Sequence, residues 1–577
     1  MKNIIILLTM FLSINAQDIW KTEFEKSGYK STANYDESIK YFEMLAENSE
    51  YAKLESFGIS PQGRTLYVLI VDKNKNFNPV EISERKKPVI LIQNGIHSGE
   101  IEGKDASKLL LREILITKEK IDLIENATIL VIPVFNLDGH ERKSPYNRIN
   151  QNGPSEMGWR TTAQNLNLNR DFTKADAPEM KTFLKLFSKW LPDLYIDTHT
   201  TDGIDYQYTV TYGIEVHQNV EKITSDWIKS KFLPKMNKDV EEDGFLIAPY
   251  VGVKDRDINK GIVDWVSGPR FSHGYAAVQN RVGLLVETHM LKPYKERVFS
   301  TKSILESSIE IMNENAEEIL DINRDADEIR IEKYSINKEP LPVKFKTTEK
   351  STPFEWKGIE FEMKDSKAAG TQIPYYTGVK FTKTIPYFND VEVVETLTAP
   401  EFYIIPKEYK ELVDIMELHG IDYSVVQKSE EMELIKTKFK NITFAKNPYE
   451  GRFRPSYETE TISEIVKVNA GDYIIKTNQR EVSLILHLLE PSSDDSFLKW
   501  GMMNHIFERK EYFEMYLIDS LANKMYEENE SLRKEFDEML KDEKFAQNPY
   551  ARLNFFYEHS PFFDEKYNVY PILKSVK

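Results

Sequence analysis

Between about Tyr35 and Leu320 the chain alternates short apolar runs with amphipathic stretches, and this alternation restricts the fold more than any other feature. The runs are TLYVLIVD, KPVILIQN, ATILVIPVF, PDLYIDTHT and VGLLVETHM. Several are continuous in Val, Ile and Leu, as strands buried on both faces are. Between them lie helix candidates, EGKDASKLLLREIL and APEMKTFLKLFSKWL. Strand–helix alternation predicts an α/β fold with a mixed, mainly parallel, doubly wound sheet.

From about Ala316 to Pro340 the sequence becomes charged and loses apolar strands, which reads as a closing helix and a linker. Beyond it, KGIEFEMKDS and VKFTKTIPYFNDVEVVETLT alternate like strands. EFYIIPKEYKELVDIMELHGIDYSVV reads as strand, helix, Gly turn, strand, and residues 497–540 read as one long helical region. A chain of 577 residues exceeds what one core supports. The expected division is 1–16 as a signal peptide, 17–335 as the α/β domain and 336–577 as an α+β accessory region in one part or two.

The start, MKNIIILLTMFLSINAQ, has a positive Lys2, a short apolar core and a small-residue exit after Ala16. That pattern predicts export, to a periplasm or beyond the cell. The apolar core is too short to cross roughly 30 Å of hydrocarbon, and no membrane span is expected elsewhere. The net charge of −17 disfavours nucleic acid and anionic membrane as partners. With no cysteine in the chain, disulfides and a thiol nucleophile are excluded, and any metal must be held by His, Asp or Glu.

Polar residues sit where the apolar runs end. His97 and Glu100 follow PVILIQN, NLDG follows ILVIPVF, His199 closes DLYIDTH, and Glu287 closes VGLLVE. In an open α/β sheet, ligands bind at the carboxyl ends of the strands. Two histidines and one glutamate with a fourth position open form a catalytic zinc set, and a second carboxylate such as Glu287 suits a general base. Asp197 is placed to orient a ligand histidine or to bond backbone, and His289 shares a strand face with Glu287. NLDG reads as a turn, and His140, His217 and His273 read as structural.

In order, HSGE, NLDG, GWR, NLNRDF, DTH and VETH resemble the zinc carboxypeptidases of the funnelin type, over roughly residues 35–315. The phrases GRFRPSYETE, HLLEPSSDDSFLKWG and ARLNFFYEHSPFFDEKYNVYP resemble an extension of some bacterial members. The resemblance implies one Zn2+ per chain on His97, Glu100 and His199. It implies a zinc-bound water activated by Glu287, an oxyanion stabilised by Arg160, and a substrate carboxylate held by Asn169 and Arg170. Asp171 stands where the family motif has a second Asn, and an aspartate beside Arg170 weakens the preference for a free carboxylate. Tyr275 is the candidate for the family's flexible phenol.

These expectations describe an exported metallocarboxypeptidase acting on peptides or proteins. An amidase, endopeptidase or peptidoglycan peptidase on the same scaffold stays open, as does a non-catalytic zinc-containing binding module. The sequence leaves the oligomeric state undetermined.

Overall fold

The apolar runs are strands. In a computed structural model that describes residues 19–81 and 84–576, ten strands precede residue 290: β1 (Ala52–Ile59), β2 (Thr65–Val71), β3 (Val89–Asn94), β4 (Thr128–Ile132), β5 (Leu194–Thr201), β6 (Val210–Ile214), β7 (Ile247–Pro249), β8 (Gly252–Val253), β9 (Ile262–Val263) and β10 (Val282–His289). The signal peptide expected at residues 1–16 lies outside the described residues.

Eight of these strands form one sheet, ordered β1-β2-β4-β3-β5-β10-β6-β7. Pairing is parallel from β4 through β3 and β5 to β10, and again between β6 and β7. It is antiparallel at β1–β2, β2–β4 and β10–β6. The sheet is therefore mixed α/β, with parallel strands at its centre. Every residue of β3, β4, β5 and β10 is buried, as their unbroken apolar runs require. Each large apolar side chain buried here contributes roughly 1.5–3 kcal/mol.

Helices cover the sheet. Glu102–Leu115 packs on β3 and β5, and Tyr294–Glu314 packs on that helix and on β10. Pro178–Trp190 opens on a proline at its first position, where the missing N–H goes unused, and it packs on β1.

Four further strands follow: β11 (Leu341–Thr347), β12 (Thr352–Ser366), β13 (Thr371–Phe388) and β14 (Val391–Leu397). β12 and β13 form a long antiparallel hairpin, extended by β9 and β8 into a second sheet. The chain divides into two compact units. The first runs to Phe402 and takes in Tyr409–Ser424 and Ile474–Phe497. Residues 336–402 and two later stretches thus cluster with the large sheet. The second unit holds Tyr403–Glu408, Val425–Tyr473 and Leu498–Lys577. It contains the antiparallel ribbon Glu430–Phe444 with Pro455–Val468, and a small core of Ala522, Leu532, Phe536, Phe555 and Phe556.

The helix read across 497–540 starts later. Helix begins at Met515, breaks at Asn529 and resumes as Glu530–Met539. Before it, the stretch from Phe497 is turns and one short 3-10 segment, Asn504–Phe507. Gly501 there takes φ +74, which a regular helix does not contain.

Candidate metal and active site

Strand register brings the site together. β5 lies between β3 and β10, with Asn94 beside Thr198 and Glu287 directly beside His199. Gly95, at φ +65, turns the chain off β3. The loop that follows closes with Glu100 N–H donating to the His97 carbonyl at 2.8 Å. Gly99 is needed for a close approach, since a Cβ there would lie 2.3 Å from Arg148 Cδ and 2.9 Å from the Gly158 carbonyl. Helix Glu102–Leu115 then fixes the loop from its other end.

His97, Glu100 and His199 are buried, and one donor atom from each lies within 4.8 Å of the others. Glu100 Oε2 faces both rings, 3.3 Å from His97 Nδ1 and 2.9 Å from His199 Nδ1. The far nitrogens are already committed. His97 Nε2 meets Asn167 Oδ1 at 3.0 Å, and His199 Nε2 meets Asp197 Oδ2 at 2.7 Å. An oxygen partner calls for a proton on Nε2, which leaves the Nδ1 lone pairs aimed at Glu100. Two imidazole nitrogens and one carboxylate oxygen form a donor set suited to zinc.

The electrostatics divide the two histidines. Burial lowers His97 to about 4, so its ring is neutral, as a ligand must be. Burial also acts against charge on His199, but the Asp197 and Glu100 carboxylates raise it well above the usual histidine range. Burial works against the Glu100 carboxylate, yet Arg148 and the histidines hold it well below the usual range. Glu100 Oε1 meets Arg148 at 2.9 Å and Arg160 at 3.1 Å.

Glu287 is buried, and its Oε2 has no hydrogen-bond partner among the described residues. Burial first, then the Glu100 and Asp197 charges, push it up to about 8. Asn169 Nδ2 lies 3.4 Å from His199 Nε2, and Asn169 Oδ1 accepts the Ser272 N–H at 3.1 Å. The Arg170 guanidinium lies over the Phe271 ring, 4.4 Å from its centroid, and donates to the Asn169 carbonyl. The ligands, Glu287, Arg160, Asn169 and Arg170 all line one cleft of about 290 Å³.

Two sequence expectations need correction. Tyr275 is fully buried in helix Ser272–Val278, and its hydroxyl is bound to His419 Nδ1 and Gln279 Nε2, each at 2.9 Å. Its ring packs on Phe172 and Phe187, away from the cleft. Asp171 does not weaken Arg170. Its carboxylate is fully buried, is paired with Lys174, and accepts the N–H groups of Asp176 and Ala177 at 3.0 and 2.8 Å.

Other residues in the cleft escaped the sequence. Tyr250 lines it, its hydroxyl held protonated first by the Glu287 charge and then by burial. Arg148 reaches Glu100 from a loop, braced by Gln151, which also holds the Gly99 carbonyl at 2.7 Å. Asn136 of NLDG caps helix Leu137–Glu141 and donates to the Arg160 carbonyl at 3.0 Å. His273 lines the cleft as well, 3.5 Å from the buried Glu215 carboxylate. His289 bonds the Ile204 carbonyl and packs edge-on against Tyr206.

Comparison with known proteins agrees with this geometry. Residues 39–266 match the zinc carboxypeptidase family. Carboxypeptidase 2 of Trichophyton rubrum is 24% identical over 491 residues, covering 81% of this chain and 84% of its own. Carboxypeptidase 2 of Trichophyton equinum is 24% identical over 465 residues, covering 77% and 79%. Among solved structures, carboxypeptidase A from Helicoverpa armigera covers 49% of this chain and 74% of its own, at 18% identity and a TM-score of 0.36. Through residues 39–266, this chain is similar to the zinc carboxypeptidases, a family of metallopeptidases.

Proposed function

We propose that this metallopeptidase removes C-terminal residues from peptides, with zinc held by His97, Glu100 and His199. The observation that carries the reading is the register of Glu287 against His199. It sets a buried carboxylate with an unpartnered oxygen beside the donor set. Zinc, when bound, supplies Lewis acidity that polarises a carbonyl and acidifies water.

The chain's own groups do the rest. Glu287 takes the proton of the attacking water on its free carboxylate oxygen and hands it to the leaving amine. Burial holds the carboxyl up to about 8, and the positive charge of bound Zn2+ would favour the carboxylate form that takes the proton. Arg160, whose side chain is 44% exposed, is free to turn from Glu100 toward the developing oxyanion. Asn169 and Arg170 anchor the substrate's terminal carboxylate, because a guanidinium matches a carboxylate in two hydrogen bonds. The inward-facing Asp171 supports that role, since its carboxylate is taken up by Lys174 and two backbone N–H groups.

The test uses zinc-loaded protein and N-blocked dipeptides, free or amidated at the C-terminus. Glu287→Gln should lose about 10³-fold or more in kcat/KM while keeping its zinc. Amidation should cost about 10²-fold through loss of the Arg170 contact. Full activity in Glu287→Gln would sink the mechanism. Equal cleavage of free and amidated substrates would favour an amidase or endopeptidase.

A further inference from the structure

We propose that an apolar groove beside the cleft binds the part of a peptide that precedes the scissile bond. The enzyme would then select extended peptides carrying aliphatic or aromatic side chains there. The inference rests on the carboxypeptidase reading, with the substrate's terminal carboxylate at Asn169 and Arg170.

The groove encloses about 790 Å³, against about 290 Å³ for the cleft. A blocked dipeptide has no use for that extra volume. The two spaces are continuous, for Thr201, Asp202, Tyr250 and Trp265 line both. Charge fixes the direction of the chain through them. Arg148, Arg160 and Arg170 line the cleft, whereas the only basic residue lining the groove is Arg256. The terminal carboxylate therefore belongs in the cleft and the apolar upstream residues in the groove.

One wall of the groove follows the ligand strand β5, at Ile204 and Tyr206, and the other is the β12–β13 hairpin. The hairpin offers Ile359, Phe361, Met363 and Tyr376. Phe361 and Met363 are 46% and 49% exposed, large apolar side chains left uncovered on a face that is otherwise built to stay put. Gln207 Nε2 donates to the Gly358 and Phe381 carbonyls at 3.1 and 2.8 Å, and the Tyr208 hydroxyl donates to the Glu355 carbonyl at 3.0 Å. Tyr206, Tyr208, Trp356 and Ile385 form a buried core beneath it. Gly358 allows a close approach, because a Cβ there would lie 2.3 Å from the ring of Phe381. A preformed groove loses little on ordering, so its apolar contacts go into affinity.

The experiment compares a blocked dipeptide with two blocked pentapeptides that share its last two residues, one with Leu-Phe-Leu upstream and one with Ser-Gln-Ser. The apolar pentapeptide should exceed the polar one by about tenfold or more in kcat/KM. Phe361→Ser with Met363→Ser should abolish that preference and leave the dipeptide rate unchanged. Equal rates on the two pentapeptides, or a preference that survives in the double variant, would overturn the groove. Failure of the carboxypeptidase reading looks different, since free and amidated peptides would then be cut alike or no substrate would be cut. In that case labelled pentapeptides are titrated into zinc-loaded Glu287→Gln and followed by anisotropy. Tighter binding of the apolar peptide sustains the groove, and a flat ranking overturns it. A dimer that the double variant dissociates, together with a flat ranking, would assign the groove to a second copy of the chain.

Discussion

At Glu287 and at Glu179, burial keeps a carboxyl protonated far above its ordinary range, to about 8 and about 7. The proposed reaction gives Glu287 a use for that proton affinity. Glu179 has none in the proposed reaction, and neither of its oxygens has a side-chain partner. Its folded pKa exceeds the ordinary 4.5, so the folded state binds the proton more tightly than the unfolded chain. The stability it gives below its unfolded pKa is therefore lost as pH rises through about 7. Glu179→Gln should raise stability by about 1 kcal/mol at mildly alkaline pH and change little in acid, as thermal melts across pH would register. A gain that does not depend on pH would mean the charge is not the cause.

Legibility at this scale followed from position. His97, Glu100, His199 and Glu287 end apolar runs, and a polar residue there stands out. Arg148, Asn167 and Tyr250 come from loops without periodicity, where one arginine or tyrosine looks like any other. Tyr275 misled because distance along the chain from Glu287 does not say which way a seven-residue helix turns its faces.

Among the elements, the helix Glu102–Leu115 matters most to the metal site. Its second residue, Gly103, is pressed so closely that a Cβ would lie 2.1 Å from Thr198 Oγ1 and 2.3 Å from Asn94 Oδ1. Asn94 and Thr198 belong to the strands that lead to His97 and His199. Gly103→Ala should therefore push the helix off both strands, costing about 1–3 kcal/mol in stability. Zinc affinity should fall by roughly tenfold or more, measured by competition with a chelating dye. Unchanged affinity would show that helix and ligands move independently. The mixed, mainly parallel sheet was legible in the apolar runs, and strands in the region of β12 and β13 in their alternation. The broken helix after residue 497 was not, because its apolar spacing mimics a helix until Gly501 interrupts it.

For the molecule as a whole, the two compact units have separate cores, and the donor set lies in the first. Zinc held as proposed should stabilise the folded first unit by about 3 kcal/mol at a hundredfold excess over Kd. Calorimetry with and without chelator should show two transitions, only one of them moved by zinc. A single transition shifted as a block would mean that the units unfold together.

The first unit is not contiguous in sequence, and that bears on how it is made. Helix Val482–Leu489 is wholly buried, and Arg480 just before it holds the Gln279 carbonyl at 2.8 Å, at the end of the helix that borders the cleft. His419 seals the Tyr275 hydroxyl from another late segment. A growing chain has the candidate metal ligands and the proposed general base by residue 287, yet lacks His419 until about 130 residues later and Arg480 until about 190. Synthesis thus delivers the reactive groups early and the support of their helix late. A peptidase assembled in this order would have its cleft finished only after helix Val482–Leu489 has emerged, which delays any cutting during biosynthesis.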